Sequence, residues 1–474
     1  LDLGDTIAAI STPPGTGAIA IVRLSGPQSV SIITRLFQPA SVKPDKADTK
    51  GLRSHHASYG RLCEPETGEE VDEVVVTPFL QPRSYTGEDL VEISCHGSPV
   101  ITKSILALCV RQGARLARAG EFTERAFLSG RLDLTQAEAV LDLIQSKTSR
   151  QSKIALSALS GDLGRHIQQV RQALLDLLTR ITAGIDFPEE VGDLPEPEVA
   201  QVVEKAIVAL ANLAQTARSG KFLREGLRLA IVGRPNAGKS SLLNQFLKSD
   251  RAIVTDIPGT TRDSLEELID LGGLPVILVD TAGIRESDDQ VELIGMARTA
   301  RAVDDAQLIL FVVDSTRGFE SEERKILHMI GPKPCLIVHN KIDLIAEEGK
   351  KRADAPSDVS EAMAALVGQV FMSAKTGDGL DELTRAIGSW AFAGKGFEAG
   401  KGEDMAALND RQAALCEKAL DSLRLVRQTA EMHMPQDCLA SDLKMAIDNL
   451  SEICGELVSE EVISSVFANF CIGK

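Results

Sequence analysis

Apolar residues change their period along this chain, and each change marks a region. From Thr6 to about Leu116, short β-rich runs alternate with turns: "TIAAIS" (6–11), "AIAIVRL" (18–24), "EVVVTPF" (73–79) and "LVEIS" (90–94). Helical stretches fall near 28–37 and 99–112, so residues 1–120 are expected to form an N-terminal α+β domain. Next comes an Ala, Leu, Gln and Arg texture almost free of turn residues. Its apolar positions Leu159, Leu163, Ile167, Val170, Leu174, Leu178, Ile181 and Ile185 step by three or four, which predicts one long amphipathic helix face. "DFPEEVGDLPEPE" (186–198) interrupts it and helix resumes to about 220. Over 221–392 apolar strands alternate with helices: "LRLAIVG" (227–233), "VILVDTAG" (276–283), "LILFVVD" (308–314) and "CLIVHNK" (335–341). That alternation predicts a mostly parallel sheet covered on both faces. A Gly-rich hinge, "AGKGFEAGKGE" (393–403), leads into a last helical block, so 121–220 and 393–474 are read as two parts of one discontinuous helical domain with an α/β domain inserted.

Length agrees with several domains, since 474 residues exceed the roughly 250–300 that one core can serve. No apolar run approaches the ~20 residues of a membrane-spanning helix. Neither a secretory leader nor a transit segment opens the chain, which starts without Met, so some trimming of the N-terminus and a cytoplasmic location are expected. Eight cysteines without C-x-x-C pairs read as reduced thiols rather than a disulfide framework or zinc site. A formal charge of −17 argues against a surface that coats nucleic acid indiscriminately. A local basic patch, or a partner that carries the RNA, stays open.

The richest chemistry lies in "LAIVGRPNAGKSSLLNQF" (229–246), where Gly233-x4-Gly238-Lys239-Ser240 follows a strand and opens a helix. Backbone N–H groups of such a loop cradle phosphate, the lysine reaches the β- and γ-phosphates and the serine hydroxyl serves Mg²⁺. Residues Asn236, Ala237, Gly238, Lys239, Ser240 and Ser241 are assigned to it. "DIPGTTRD" (256–263) offers Thr261 as a second Mg²⁺ hydroxyl, within a loop comprising Thr255, Asp256, Ile257, Pro258, Gly259, Thr260 and Thr261. "DTAG" supplies Asp280, Thr281, Ala282 and Gly283 near metal and γ-phosphate. In "NKID", Asn340 and Lys341 precede Asp343, whose carboxylate accepts from guanine N1–H and the 2-amino group, donors that adenine does not present there. "SAK" (Ser373, Ala374, Lys375) is placed over the base.

These motifs resemble the GTPase superfamily over 226–390 and imply a Ras-like P-loop domain that binds GTP or GDP. Ile284 stands where Ras-like enzymes carry the water-orienting glutamine. Glu286, Asp288, Asp289 and Glu292 downstream are alternative carboxylates, most of them read as solvated surface.

Near the N-terminus, "SYTGEDLVEISCHGSP" (84–99) and "GEFTERAFLSGRLDLTQAEAV" (120–140) interleave charges with core-like residues. Arg23, Glu92 and Arg131 are then partly buried and need partners, by salt bridging or by a ligand. With "TIAAISTPPGTGAIAIVRLSG" and the terminal "FCIGK", these stretches resemble the MnmE (TrmE) family of tRNA modification GTPases over essentially the whole chain. The resemblance implies a homodimer built through the N-terminal domains and a complex with the FAD-dependent partner MnmG. The pair would install an aminomethyl-type group on C5 of the wobble uridine of certain tRNAs. It further implies 5-formyltetrahydrofolate, or another tetrahydrofolate, held by Arg23, Glu92, Arg131 and Lys474. It implies K⁺ bound by Asn236 with Thr255, Ile257 and Thr260, and Glu292 as the residue that orients water. Thr16, Ser98 and Arg131 depart from the family pattern.

The last residues pose their own question. A C-terminal Cys-a-a-X lipid signal does not end in lysine, so Cys471 is not expected to be a prenylation site. By the resemblance it belongs to the modification centre facing the folate; a frayed terminus is the plain alternative. The rival function from another class is a GTP-switched RNA- or ribosome-binding module without base chemistry.

Overall fold

Period-two alternation sorts the first region into a core face and an outer face. The computed structural model describes residues 4–40, 52–190, 192, 194–248, 267–279, 292–317, 319–345, 365–392 and 407–474, with the backbone alone for 292–298. Seven strands form the first sheet: β1 Ile7–Ile10, β2 Ile19–Ser25, β3 Phe37–Pro39, β4 Ser58–Cys63, β5 Glu70–Phe79, β6 Leu90–His96 and β7 Arg115–Leu116. Their order is β3-β4-β5-β6-β2-β1-β7, antiparallel throughout except where β7 joins β1 in parallel. Val22, Leu24, Val91 and Ile93 point into a core closed by the helices Ser29–Leu36 and Pro99–Arg111. Residues of the other parity, including Arg23 and Glu92, stand on the opposite face.

Sequence period finds β1, β2, β5 and β6 but not β3, β4 or β7. Two of these are three residues or shorter, and β4 carries Gly60 and Arg61 in place of apolar alternation.

By packing, the chain divides into two compact units, Leu1–Leu141 with Ala158–Leu175 and Ile447–Lys474, and Asp142–Ser157 with Asp176–Ala446. The stretches 121–220 and 393–474, expected to form one helical domain, are each divided between the two. In the first unit, Phe467 and Phe470 of the chain end pack with Ala126, Leu132, Leu134, Ala137 and Val140.

The predicted continuous helix face is corrected. Leu159 ends the helix Ser149–Leu159, Gly161 interrupts at φ +84°, and a new helix runs Asp162–Asp186. The three-four step continues across this break, so spacing alone does not reveal it. Leu163, Ile167, Leu174 and Ile181 are buried while Ile185 is exposed.

The second unit holds β8 Leu227–Val232, β9 Glu267–Leu271, β10 Leu274–Val279, β11 Leu308–Asp314, β12 Cys335–Asn340 and β13 Leu366–Phe371. Their order is β13-β12-β11-β8-β10-β9, parallel except for the β9–β10 hairpin. Alternate residues of one strand enter two different cores. Leu229, Ile231, Leu310 and Val312 meet Leu242, Phe246 and Ile387 on one face. Ala230, Val232, Ile309 and Phe311 meet Val303, Leu327 and Ile330 on the other. That two-sided burial is why these strands read as unbroken apolar runs. The Gly-rich hinge 393–403 lies outside the described residues.

A tie inside this unit joins three segments. Gln151 accepts from Lys147 N and Thr148 N, donates through Nε2 to Leu223 O, and Thr148 Oγ1 donates to Gly273 O at the β9–β10 turn.

A partly buried ionic network ties β7 to the helix Glu121–Leu128. The Arg125 side chain, 2% exposed, donates to Glu88, Glu121 and Asp5, while Arg115 bonds Glu121 at 2.6 Å and Asp5 at 2.7 Å. Burial raises the Glu121 carboxyl, but hydrogen bonds from Arg115 and Arg118 N outweigh it and hold the group at about 2. Its stabilisation is therefore complete above the ordinary pKa of 4.5 and is lost as pH falls toward about 2. Glu121→Gln leaves Arg115 and Arg125 short of a buried partner, so it should destabilise the first unit by about 3 kcal/mol at neutral pH. It should also flatten the acid-side fall in stability. Tyr59 and Tyr85, the only tyrosines, lie in that unit and Trp390, the only tryptophan, in the other. Urea unfolding followed by tyrosine signal across that pH range reads the first unit separately; an unchanged slope would contradict the assignment.

Candidate functional site

The phosphate loop leaves β8 at Gly233 and enters the helix Lys239–Lys248. Asn236 adopts φ +62° and Gly238 φ +100°. At Gly238 a side chain has no room, because an added Cβ would lie 2.0 Å from the Asn340 amide nitrogen. Lys239 Nζ donates to Gly233 O at 2.9 Å and Arg234 O at 2.7 Å, which holds the ammonium across the loop. Ser240 follows on the first turn of the helix.

Asn340 links this loop to the base-side segment. It is 2% exposed, donates to Ala237 O at 2.8 Å and accepts from Ala374 N at 2.8 Å. Ser373 Oγ donates to Asp343 Oδ1 at 2.7 Å, fixing the carboxylate, and Gln245 reaches Ala374 O at 3.0 Å. Lys341, at φ +67°, bonds Asp314 at 2.6 Å. Burial raises the Asp314 carboxyl, but Lys341 and Thr316 outweigh it and bring it below its ordinary value. A cavity of about 480 Å³ opens here, lined by Gly238, Asn340, Asp343, Leu344, Ala374 and Lys375 among others. Sequence-assigned residues from three separate stretches thus share one pocket.

Several assigned positions lie outside the described residues: Thr255, Asp256, Ile257, Pro258, Gly259, Thr260, Thr261, Asp280, Thr281, Ala282 and Gly283. Glu292 is described by its backbone alone, as the first residue of the helix Glu292–Asp305. Of the assigned Mg²⁺ pair only Ser240 is described, and of the K⁺ set only Asn236. Among the described residues no cluster of three or more His, Cys, Asp or Glu forms a further metal centre.

A second constellation occupies the outer face of the first sheet. Arg23 on β2 stands directly opposite Glu92 on β6 and grips its Oε1 with Nη2 at 2.7 Å and Nε at 3.1 Å. The guanidinium lies 5.5 Å from the Tyr85 ring centroid and 5.7 Å from that of Phe122. Arg131 approaches the same tyrosine ring at 5.9 Å. Tyr85 is not among the sequence-assigned residues; as one of two tyrosines, inside the singled-out "SYTGED", it was the available signal.

The chain end joins this group. Ala119 pairs with Ile472, Ser11 Oγ donates to Gly473 O at 3.0 Å, and Arg23 Nη1 donates to the same oxygen at 3.4 Å. Gly473 has φ +94°, and an added Cβ would fall 2.4 Å from Ile10 O, so only glycine fits. Burial, and then the charge of Arg23, push the Lys474 ammonium below its usual range. Arg23, Glu92 and Lys474 therefore converge, with Arg131 beside their tyrosine.

The cysteines separate by environment. Cys95, on the same strand as Glu92, is buried, and burial together with Asp72 pushes its thiol up to about 11. Burial raises Cys109, Cys335 and Cys416 to about 12. Cys438 and Cys471 are exposed.

Family models match two stretches, "GTP-binding protein TrmE N-terminus" over residues 6–131 and "MnmE helical domain" over 134–471. Full-length similarity reaches the tRNA modification GTPase MnmE of Acetivibrio thermocellus, 42% identical over 99% of both chains. That of Moorella thermoacetica is 44% identical over 100% of both. Among solved structures, a point variant of Aquifex aeolicus Era bound to GDP.AlF4- is 28% identical over 42% of this chain and 66% of that chain, with a TM-score of 0.27.

The docked end makes a direct prediction. Gly473→Ala should displace it, and the Gly120 and Phe122 amides, which donate to Cys471 O and Lys474 O, should exchange hydrogen faster by about tenfold. Unchanged protection at both amides would show that the end is held otherwise.

Proposed function

Because the chain belongs to the MnmE family of tRNA modification GTPases, we propose that it is a GTP-hydrolysing enzyme that modifies C5 of the wobble uridine of certain tRNAs. It acts as a homodimer with an FAD-dependent MnmG-type partner, in the cytoplasm, and adds an aminomethyl or carboxymethylaminomethyl group with a one-carbon unit from tetrahydrofolate. Among the described residues no helix is long and apolar enough to cross a membrane.

The nucleotide half rests on the shared pocket. The phosphate loop binds the phosphates of GTP or GDP, Lys239 faces the β- and γ-phosphates, and Ser240 with Thr261 holds Mg²⁺. Guanine enters between Asp343 and the Ser373–Lys375 segment, where the fixed carboxylate selects it over adenine. Asn236, with Thr255, Ile257 and Thr260, holds K⁺, which offsets charge building between the β- and γ-phosphates. Glu292 orients the attacking water in place of the absent glutamine.

The observation that carries the modification half is the convergence of the Cys471–Lys474 end on the Arg23–Glu92 pair. Both Arg23 bonds to Glu92 fall on its Oε1. Oε2 is then the edge that accepts pterin N–H groups. Arg131 and Lys474 offer positive charge to the carboxylates of the glutamate tail. Cys471, exposed at the rim, is the thiol assigned to the modification centre.

Wobble-uridine analysis of tRNA tests the whole reading. Cells carrying Cys471→Ser should lose the modification while the purified variant keeps parental GTP turnover and tetrahydrofolate binding. Full modification by the variant removes the cysteine from the chemistry. Loss of the uridine product from neither the variant nor a deletion would instead favour a GTP-switched RNA-binding module.

Cation dependence is a separate test. GTP hydrolysis should rise at least tenfold when KCl replaces NaCl at equal ionic strength, on the order of what one preorganised charge contributes. Equal rates in the two salts would remove K⁺ from catalysis and leave the Mg²⁺ and guanine assignments standing.

A further inference from the structure

Arg234 is the first residue of the phosphate loop after Gly233, and its side chain ends on three carboxylates. Its Nη1 lies 2.7 Å from Glu320 and 3.2 Å from Glu323, and its Nε 2.6 Å from Glu322. Those glutamates form the first turn of the helix Ser321–Ile330 and the residue that caps it. Glu323, 3% exposed, is fixed further by accepting from Glu320 N at 2.9 Å in a capping box. The guanidinium is thus a staple between the loop and a helix anchored in the core.

The same residue's carbonyl is what Lys239 Nζ contacts at 2.7 Å, and it also accepts from Ala237 N at 3.3 Å. Movement of the Arg234 backbone would carry the lysine's anchor and the loop's internal turn with it. There is an electrostatic part as well. Three carboxylates beside an anion site repel a nucleotide, and Arg234 is the cation bonded to all of them. Without it the local charge becomes more negative, and GTP, with one phosphate more than GDP, is penalised more.

We propose that Arg234 is a positioning residue for Lys239: clamped by Glu320, Glu322 and Glu323, it holds the loop carbonyl that aims the lysine at the phosphates and neutralises the acidic turn beside them. The inference deepens the nucleotide reading above and rests on it.

The test uses the full chain at fixed Mg²⁺ and K⁺, titrated with fluorescent GDP and a non-hydrolysable fluorescent GTP analogue. Arg234→Ala should weaken the GTP analogue roughly tenfold or more, the scale of a lost charge-assisted contact, and GDP by less. Added choline chloride should narrow the gap between the two nucleotides by screening the exposed glutamates. Arg234→Lys, a point charge without the fork, should recover part of the affinity. Acetylation of Lys239 by an amine reagent without nucleotide, measured by mass spectrometry against exposed Lys375, reads the anchor independently of binding and should quicken several-fold in Arg234→Ala. GTP affinity within twofold of the parent, with Lys239 acetylated at the parental rate, overturns the clamp. A parent chain that binds neither nucleotide overturns the nucleotide reading instead, and the acetylation rates still decide the clamp.

Discussion

A charge pair taken partly out of water organises the first unit. Arg23 is 13% exposed and Glu92 25%, and charges so placed must be compensated nearby or they destabilise the fold. Antiparallel register sets them opposite one another, so a one-residue slip of β2 against β6 would turn Arg23 into the apolar core and leave Glu92 without its partner. The rest of the compensation comes from elsewhere in sequence: the rings of Tyr85 and Phe122, and a backbone oxygen from residue 473. Sheet register and the docking of the chain end are thereby two consequences of one electrostatic demand. A face built to satisfy an arginine and a carboxylate is also suited to a ligand carrying both donors and acceptors.

The second unit solves a comparable problem with a neutral group. Asn340 is buried, and its amide donates toward the phosphate loop and accepts from the base-side segment. An amide can face both ways because it carries a donor and an acceptor on one rigid plane. Gly238 is then not interchangeable, since the same amide occupies the space a side chain would need. The phosphate end and the base end of the cavity are held in mutual position by this residue. Arg234 adds a charged anchor on the outer side of the same loop.

How much of this is legible follows from the range over which each signal acts. The phosphate loop and the "NKID" and "SAK" segments are local, and the sequence places them on the right elements because strand-to-loop-to-helix order is itself local. Core strands of the second unit are legible because both faces are buried. The short strands β3 and β7 are not, since two or three residues carry no period. Gly161 is misread because its neighbours keep helical spacing on both sides of the break. Arg23 and Glu92 stand out as charges needing partners, but nothing near residue 23 in sequence indicates the oxygen of Gly473. The Arg234 clamp escapes for the same reason: Glu320, Glu322 and Glu323 lie more than eighty residues away in the chain.

Cysteine placement gives the last step of the synthesis. A thiol acts as a nucleophile only as thiolate, and burial in apolar surroundings works against that form. Cys95 is close to Glu92 in sequence, yet it faces the core and its thiol sits at about 11, so proximity to the pair does not make it reactive. Cys471, by contrast, is exposed, on the docked end beside Ile472 and Gly473. The exposed sulfur near the Arg23–Glu92 pair therefore lies on the docked chain end and not on the sheet, and Gly473, whose added Cβ would fall 2.4 Å from Ile10 O, is what lets that end approach closely enough.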